Sequence, residues 1–280
     1  MNLEAKSLFS LAGKTALLTG AAGFLGRTFA RALLSNGARL IALGRSERLE
    51  AQKAQWAAEF GGERVESYRV DMYDVAALEK TLDEIVGREG FVEILINNAY
   101  ELGPKTGFNT DSGTLEAAPM DQWLRHFTSG VYWPALTVQK LGPAMKARGR
   151  GSVINISTMY GVVAPSPRLY EGTKFLNPPG YSAAKAAMLA LTRYVASFWG
   201  PYGIRANAIL PGPFSNTEDI AGPNSVRSGD FFLERLAQRT CLNRIGRAEE
   251  LAGALVFLAS DASSYVTGHA LAVDGGWTII

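Results

Sequence analysis

The chain has 280 residues, 47% of them hydrophobic and 19% charged, a composition that supports a full core and excludes a disordered segment. Its 28 Lys and Arg against 26 Asp and Glu leave a formal charge of +2, so a nucleic-acid or anionic-membrane partner is not expected. A single cysteine, Cys241, excludes an internal disulfide. No uncharged apolar run reaches the roughly 18 residues of a membrane span, and the start of the chain lacks the order of a signal peptide. A cytoplasmic protein without a metal cluster is the expectation.

Strand and helix patterns alternate from end to end. A short apolar run at 15–19 stops at Gly20, and a helix over 24–35 follows, closed by Asn36-Gly37. A strand at 39–43 precedes a helix over 47–59, ended by Gly61-Gly62. A third strand at 65–70, a helix over 75–86 and a fourth strand at 92–96 come next. One long helix is predicted over 119–145, with Pro134 as the residue that would kink it. The fifth strand, 152–156, leads to an apolar helix over 181–199 and a strand at 204–210. A helix over 248–258 and a strand at 270–273 close the series. Apolar strands of about five residues, continuous rather than alternating, imply burial on both faces and hence a parallel sheet. With helices between them, they imply right-handed crossovers and a doubly wound, Rossmann-type α/β fold. No linker or repeat interrupts the pattern, so residues 1–280 read as one domain. Three loops are long for such a fold, 98–118, 159–180 and 211–230, and they are the expected substrate loops.

Two motifs carry chemistry. Gly20, Gly23 and Gly26 lie between the first strand and the first long helix, where a dinucleotide site needs a sharp turn and close backbone approach to the pyrophosphate. The helix start, with Phe24 and Leu25, offers free N–H groups to phosphates. Tyr181 and Lys185 share a helix face at i, i+4 spacing. A neighbouring ammonium lowers a phenol's pKa from its usual value of about 10, which makes Tyr181 a general acid/base for interconverting a hydroxyl and a carbonyl.

Taken together, these residues resemble the short-chain dehydrogenase/reductase superfamily, in its compact single-domain branch. Further matching pieces are Asp71, Asn97-Asn98-Ala99, Asn155-Ile156-Ser157-Thr158, Asn207, Pro211-Gly212 and the closing Val273-Asp274-Gly275-Gly276. The resemblance implies that Tyr181 moves the proton, that Lys185 tunes it and holds the nicotinamide ribose, and that Thr158 bonds the reacting oxygen, with Ser157 a weaker candidate. It places Asp71 and Met72 against the adenine, Asn98 and Ala99 along the adenine ribose, and Pro211 and Gly212 along the nicotinamide. Gly130 stands where the family carries an asparagine that holds a relay water, and Ser129 is a candidate replacement. The glycine spacing is that of the family's extended branch, which predicts altered packing near Phe24. Thr158 and Tyr181 stand 23 residues apart, a longer separation than usual. This insertion, with Tyr100 ending the Asn-Asn-Ala motif, resembles sugar and sugar-acid oxidoreductases.

The second strand runs into Gly44-Arg45-Ser46 with no acid to bind a ribose 2′-hydroxyl, whereas Arg45 can pair with a 2′-phosphate. NADP(H) is therefore favoured, with NAD(H) the alternative. The long loops carry Tyr100, Arg168 and Lys174 as candidate substrate contacts, suited to a sugar, polyol or sugar acid. An apolar trough would instead suit the alternative, a 3-oxoacyl reductase. A cofactor-binding regulator without catalysis is the non-enzymatic alternative. His126, His269, Trp56 and Trp123 read as structural. The resemblance and the apolar helices over 119–147 and 181–199 imply a homotetramer or homodimer.

Overall fold

The computed structural model describes residues 4–216 and 231–280. Seven strands form one parallel sheet, β1 Thr15–Thr19, β2 Arg39–Gly44, β3 Val65–Arg69, β4 Ile94–Asn97, β5 Gly151–Ile156, β6 Ile204–Pro211 and β7 Ala270–Val273. Their spatial order is β3-β2-β1-β4-β5-β6-β7. The helices are α1 Ala5–Leu8, α2 Phe24–Ser35, α3 Arg48–Phe60, α4 Val75–Glu89, α5 Met120–Phe127, α6 Trp133–Arg148, α7 Pro167–Tyr170, α8 Pro179–Trp199, α9 Phe231–Gln238 and α10 Ala252–Ala259.

The strands are apolar throughout because successive side chains enter two different cores. Ala16 and Leu18 of β1, with Ile94 and Ile96 of β4, pack with Phe29, Leu33 and Leu258 on one face. Leu17 and Leu95 point the other way, to Leu82, Ile85, Leu141 and Val195. The edge strand β3 is the exception: after Val65 its residues are only partly buried or exposed, and its sequence, Glu66 and Ser67 included, is polar.

The chain reverses its direction of strand addition between β1 and β4, which leaves a crevice at their carboxyl ends. The long helix predicted over 119–145 is two helices joined by one π-helical turn, Thr128–Tyr132. Pro134 sits in the first turn of α6, where its missing N–H breaks the i→i−4 ladder just after Gly130. α8 starts two residues before the predicted Tyr181, with Pro179 in its first turn, a position where proline's fixed φ suits a helix. α1, α7 and α9 were not anticipated; the first two are single turns.

Candidate active site

A cavity of about 410 Å³ follows the carboxyl edge of the sheet, from Arg45 and Asp71 at one end to Thr158, Tyr181 and Lys185 at the other. The glycine turn forms its floor. Gly20 has φ +67°, and a Cβ there would lie 2.9 Å from Ala99 Cα. At Gly26 a Cβ would lie 2.2 Å from the Gly20 carbonyl oxygen. Only glycine therefore lets α2 start this close to β1. No side chain caps α2, so its first N–H groups stay available beside Gly23, Phe24 and Leu25, which line the cavity. Gly23 is the extended N-cap of α2, and Phe24 opens the helix.

The turn is braced from β4. Thr19 Oγ1 accepts the N–H groups of Asn98 and Ala99, both at 3.0 Å, and donates to the Ile96 carbonyl. Asn98 Nδ2 donates to the carbonyls of Thr19 and Gly20 at 3.0 and 3.2 Å. Asn98 thus holds the loop that would carry a pyrophosphate, besides lining the cavity. Beneath, a buried chain runs from Thr137 Oγ1 to Asn97 Oδ1 at 2.7 Å, Asn97 Nδ2 to Asn155 Oδ1 at 2.9 Å, and Asn155 Nδ2 to Thr192 Oγ1 at 2.8 Å. It ties β4 and β5 to α6 and α8, so the strand ends cannot drift from the helix that carries Tyr181.

Tyr181 sits between two rings, Tyr100 and Phe108, at centroid distances of 5.3 and 5.2 Å. Burial pushes its phenol up to about 12, against a smaller downward pull from the Thr158 hydroxyl. The lowering by Lys185 expected from the sequence is therefore not what the protein alone does; desolvation dominates. Lys185 is buried, and desolvation pushes its ammonium down to about 7. Its Nζ donates to the Ile156 carbonyl at 2.7 Å. At neutral pH Tyr181 is a neutral phenol, able to donate a proton to a carbonyl oxygen and to accept one from an alcohol only as its phenolate forms. Ser157 is occupied, since its hydroxyl donates to the Lys185 carbonyl at 3.0 Å, which leaves Thr158 as the hydroxyl beside Tyr181.

The residues present fit a nicotinamide dinucleotide: a glycine cradle, an uncapped helix start, and a phenol and ammonium at the far end of the same crevice. Gly20–Gly26 would hold the pyrophosphate, Arg45, Asp71 and Met72 would flank the adenosine, and Pro211 and Gly212 would lie along the nicotinamide. Bound, the cofactor supplies the hydride donor or acceptor.

Residues 20–278 match the family model described as "Enoyl-(Acyl carrier protein) reductase", a short-chain dehydrogenase/reductase model. The chain belongs to the short-chain dehydrogenase/reductase family. It is 33% identical to the 2-dehydro-3-deoxy-D-gluconate 5-dehydrogenase of Bacillus subtilis, covering 96% of each chain. It is 31% identical to the galactitol 2-dehydrogenase (L-tagatose-forming) of Cereibacter sphaeroides, over 99% of this chain and 100% of that one. Among solved structures, a gluconate 5-dehydrogenase from Burkholderia cenocepacia in complex with NADP and tartrate superposes with a TM-score of 0.80. That protein shares 31% identity, over 99% of this chain and 100% of its own. Membership in this family makes the chain an NAD(P)-dependent oxidoreductase.

Every cofactor-site and catalytic residue singled out in the sequence lines the one cavity, and Tyr100 lines it too. Arg168 and Lys174 do not. Both are exposed, and Lys174 lies over the Phe175 ring at 5.5 Å. The insertion folds back on itself and on α9, where Arg235 holds the carbonyls of Arg168, Leu169 and Glu171. Residues 217–230 of the third predicted substrate loop lie outside the described residues; Pro211, Gly212 and Phe214 at its start line the cavity. Ser129 is buried, and its hydroxyl donates to the Arg125 carbonyl at 2.9 Å. Sequence reasoning missed Thr19 as a brace and Phe214 as a lining residue; Glu101 of the 98–118 loop lines the cavity too. The Thr-Gly pair that opens the glycine motif was the available signal for Thr19. Glu101 is buried among Tyr73, Arg125 and Arg45, contacts that span the chain and leave no local pattern.

Proposed function

We propose that this chain is an NADP(H)-preferring dehydrogenase that interconverts a secondary alcohol and a ketone on a sugar, polyol or sugar acid. The observation that carries the cofactor preference is Arg45. It directly follows β2, which ends without an acid, and lines the cavity, so a guanidinium is there to pair with a 2′-phosphate; its partner within the protein is the Glu101 carboxylate at 3.7 Å. The substrate class is supported by the relatives at 31–33% identity, which are dehydrogenases of a sugar acid and of a polyol. The loops that flank Tyr181 support it as well. Asn109 Oδ1 accepts the Leu176 N–H at 2.9 Å, which joins the 98–118 and 159–180 segments into one wall. Thr158, Tyr181 and Lys185 are all retained beside one cavity, which disfavours a regulator without catalysis.

The test is a turnover screen with NADP+ and NAD+ across sugar acids, polyols and sugars, set against NADPH with 3-oxoacyl thioesters. Turnover confined to hydroxylated substrates, with higher kcat/KM for NADP+, supports the reading. Faster turnover of the thioesters replaces it with the acyl reductase, whose support here is the description of the family model.

The same reading includes self-association into a homodimer or homotetramer. Tyr194 and Phe198 stack on each other at 4.3 Å on the outer face of α8, 55% and 59% exposed, and Met120 and Leu124 of α5 are exposed as well. Apolar faces of this kind are seldom left in water. A monomeric mass by light scattering at micromolar concentration would reject this part.

A further inference from the structure

The catalytic pair has a second-side support that neither the family's pattern nor the sequence motifs assign. Gly130 leaves room beside α8, and the structure fills that room with the ring of Tyr100. A Cβ at Gly130 would lie 3.1 Å from Tyr100 Cε2 and 2.9 Å from Ala184 Cβ, so a side chain at 130 would crowd the Tyr100 ring and α8. The π-helical turn at 128–132 places Gly130 there. The Tyr100 ring then touches both members of the pair. Its face lies 4.4 Å from Lys185 Nζ, and it packs edge-on against Tyr181.

The hydroxyl of Tyr100 points elsewhere, to His126 Nδ1 at 2.5 Å. His126 is 1% exposed, and burial pushes it down to about 4, so the imidazole is neutral at physiological pH. Its ring abuts Gly180, where a Cβ would come within 2.4 Å of Cδ2, and so packs directly before Tyr181. The phenol therefore has a buried partner, and the ring can stay in one orientation without an orphaned hydroxyl.

We propose that Tyr100 is a positioning residue for catalysis, whose ring face holds the buried Lys185 ammonium in place and favours its protonated form, with His126 anchoring the ring. Lys185 needs such a partner. Among the described residues, the groups that meet its ammonium are the Ile156 carbonyl and the Tyr100 ring, with no carboxylate in contact. Tyr100 in turn faces Tyr181, Tyr73, Ser129, His126 and Glu101, and the Glu101 carboxylate is engaged by Arg125 at 3.1 Å. Among the described residues no anion opposes the desolvation of Lys185, and a desolvated ammonium over an aromatic face is a favourable pairing that a saturated side chain cannot supply.

The inference rests on Tyr181 and Lys185 being the reacting pair, and its test is independent of which substrate is turned over. The apoprotein labelled with [ε-13C]lysine is titrated by NMR, with the Lys185 signal assigned by its loss in Lys185→Met. Replacing Tyr100 with Leu should lower the Lys185 pKa by roughly one unit, a tenfold drop in its proton affinity. Tyr100→Phe, which keeps the ring, should hold it within a few tenths of wild type. A fully structural role for Tyr100 would loosen the protein without this split between Leu and Phe. An unchanged Lys185 pKa in Tyr100→Leu overturns the proposal, and so does a Phe variant that moves as far as Leu. If Tyr100→Leu does not fold, Tyr100→Met gives the same reading. Failure of the sugar screen would leave this titration untouched, so the two readings fail separately.

Discussion

Lys185→Met should make the protein more stable near neutral pH while it abolishes turnover. Lys185 is 3% exposed, and burial holds its ammonium at about 7, against an ordinary 10.5. Between those values the unfolded chain binds a proton that the native state does not. Unfolding free energy must then rise with pH, by about 1.4 kcal/mol per unit across that window. Below pH 7 both states are protonated and the whole penalty is present, with an upper bound of about 5 kcal/mol. Methionine fills similar space without a charge. Against this gain, the variant leaves the Ile156 carbonyl without its 2.7 Å donor and loses the contact with the Tyr100 ring, each about 1 kcal/mol. The net expectation is a stabilisation of about 1–3 kcal/mol at pH 6–7 that falls by about 1.4 kcal/mol per unit above pH 7 and reverses sign between about pH 8 and 9. Urea unfolding of wild type and variant at pH 6, 7, 8, 9 and 9.5 measures it. The reasoning fails if the gap is constant over that range, or if the variant is the less stable protein at pH 6.

Tyr181→Phe removes the phenol and keeps the ring against Tyr100 and Phe108; kcat should fall by roughly 10²–10⁴-fold with little change in cofactor Kd, checked by steady-state rates and NADPH fluorescence titration. Arg45→Ala should lower kcat/KM for NADP+ by roughly 10- to 100-fold and leave NAD+ nearly unchanged, in parallel assays with the two cofactors. Gly26→Ala drives a Cβ to 2.2 Å from the Gly20 carbonyl oxygen, against backbone that cannot give way. It should cost about 1–3 kcal/mol by denaturant unfolding and eliminate the stabilisation that added NADP(H) confers on the wild type.

The strands and their parallel sheet were legible because each strand must feed two cores, and that requirement writes a continuous apolar run such as Ala16-Leu17-Leu18. The cofactor end was legible for a similar reason. Gly20 and Gly26 are fixed by backbone contacts that admit no side chain, so the need is visible in one residue type at one spacing. Substrate contacts carry no such signature. Arg168 and Lys174 have the chemistry to meet an anion, but the insertion that bears them turns outward through α7 and is held at its carbonyls by Arg235, more than sixty residues further along. The sequence pattern shows the charges and not the direction in which the loop presents them.

The π-helical turn at 128–132 explains why the site's inner side was also hidden. A proline at 134 within a helical pattern predicts a kink, and the helix is interrupted there by a π-helical turn. What the pattern leaves out is that the extra residue swings Gly130 to α8 and empties a volume there. Tyr100 supplies the missing atoms from a different strand end, thirty residues earlier. A glycine where a polar residue is expected then reads as one half of an exchange, whose other half is an aromatic residue on β4's loop. The two positions are in contact: a Cβ at 130 would lie 3.1 Å from the Tyr100 ring edge and 2.9 Å from Ala184 Cβ, so a side chain restored there presses on both. The support for Lys185 is thereby moved from the helix that precedes it to the strand end that faces it, with the sheet and its cofactor crevice left as they are.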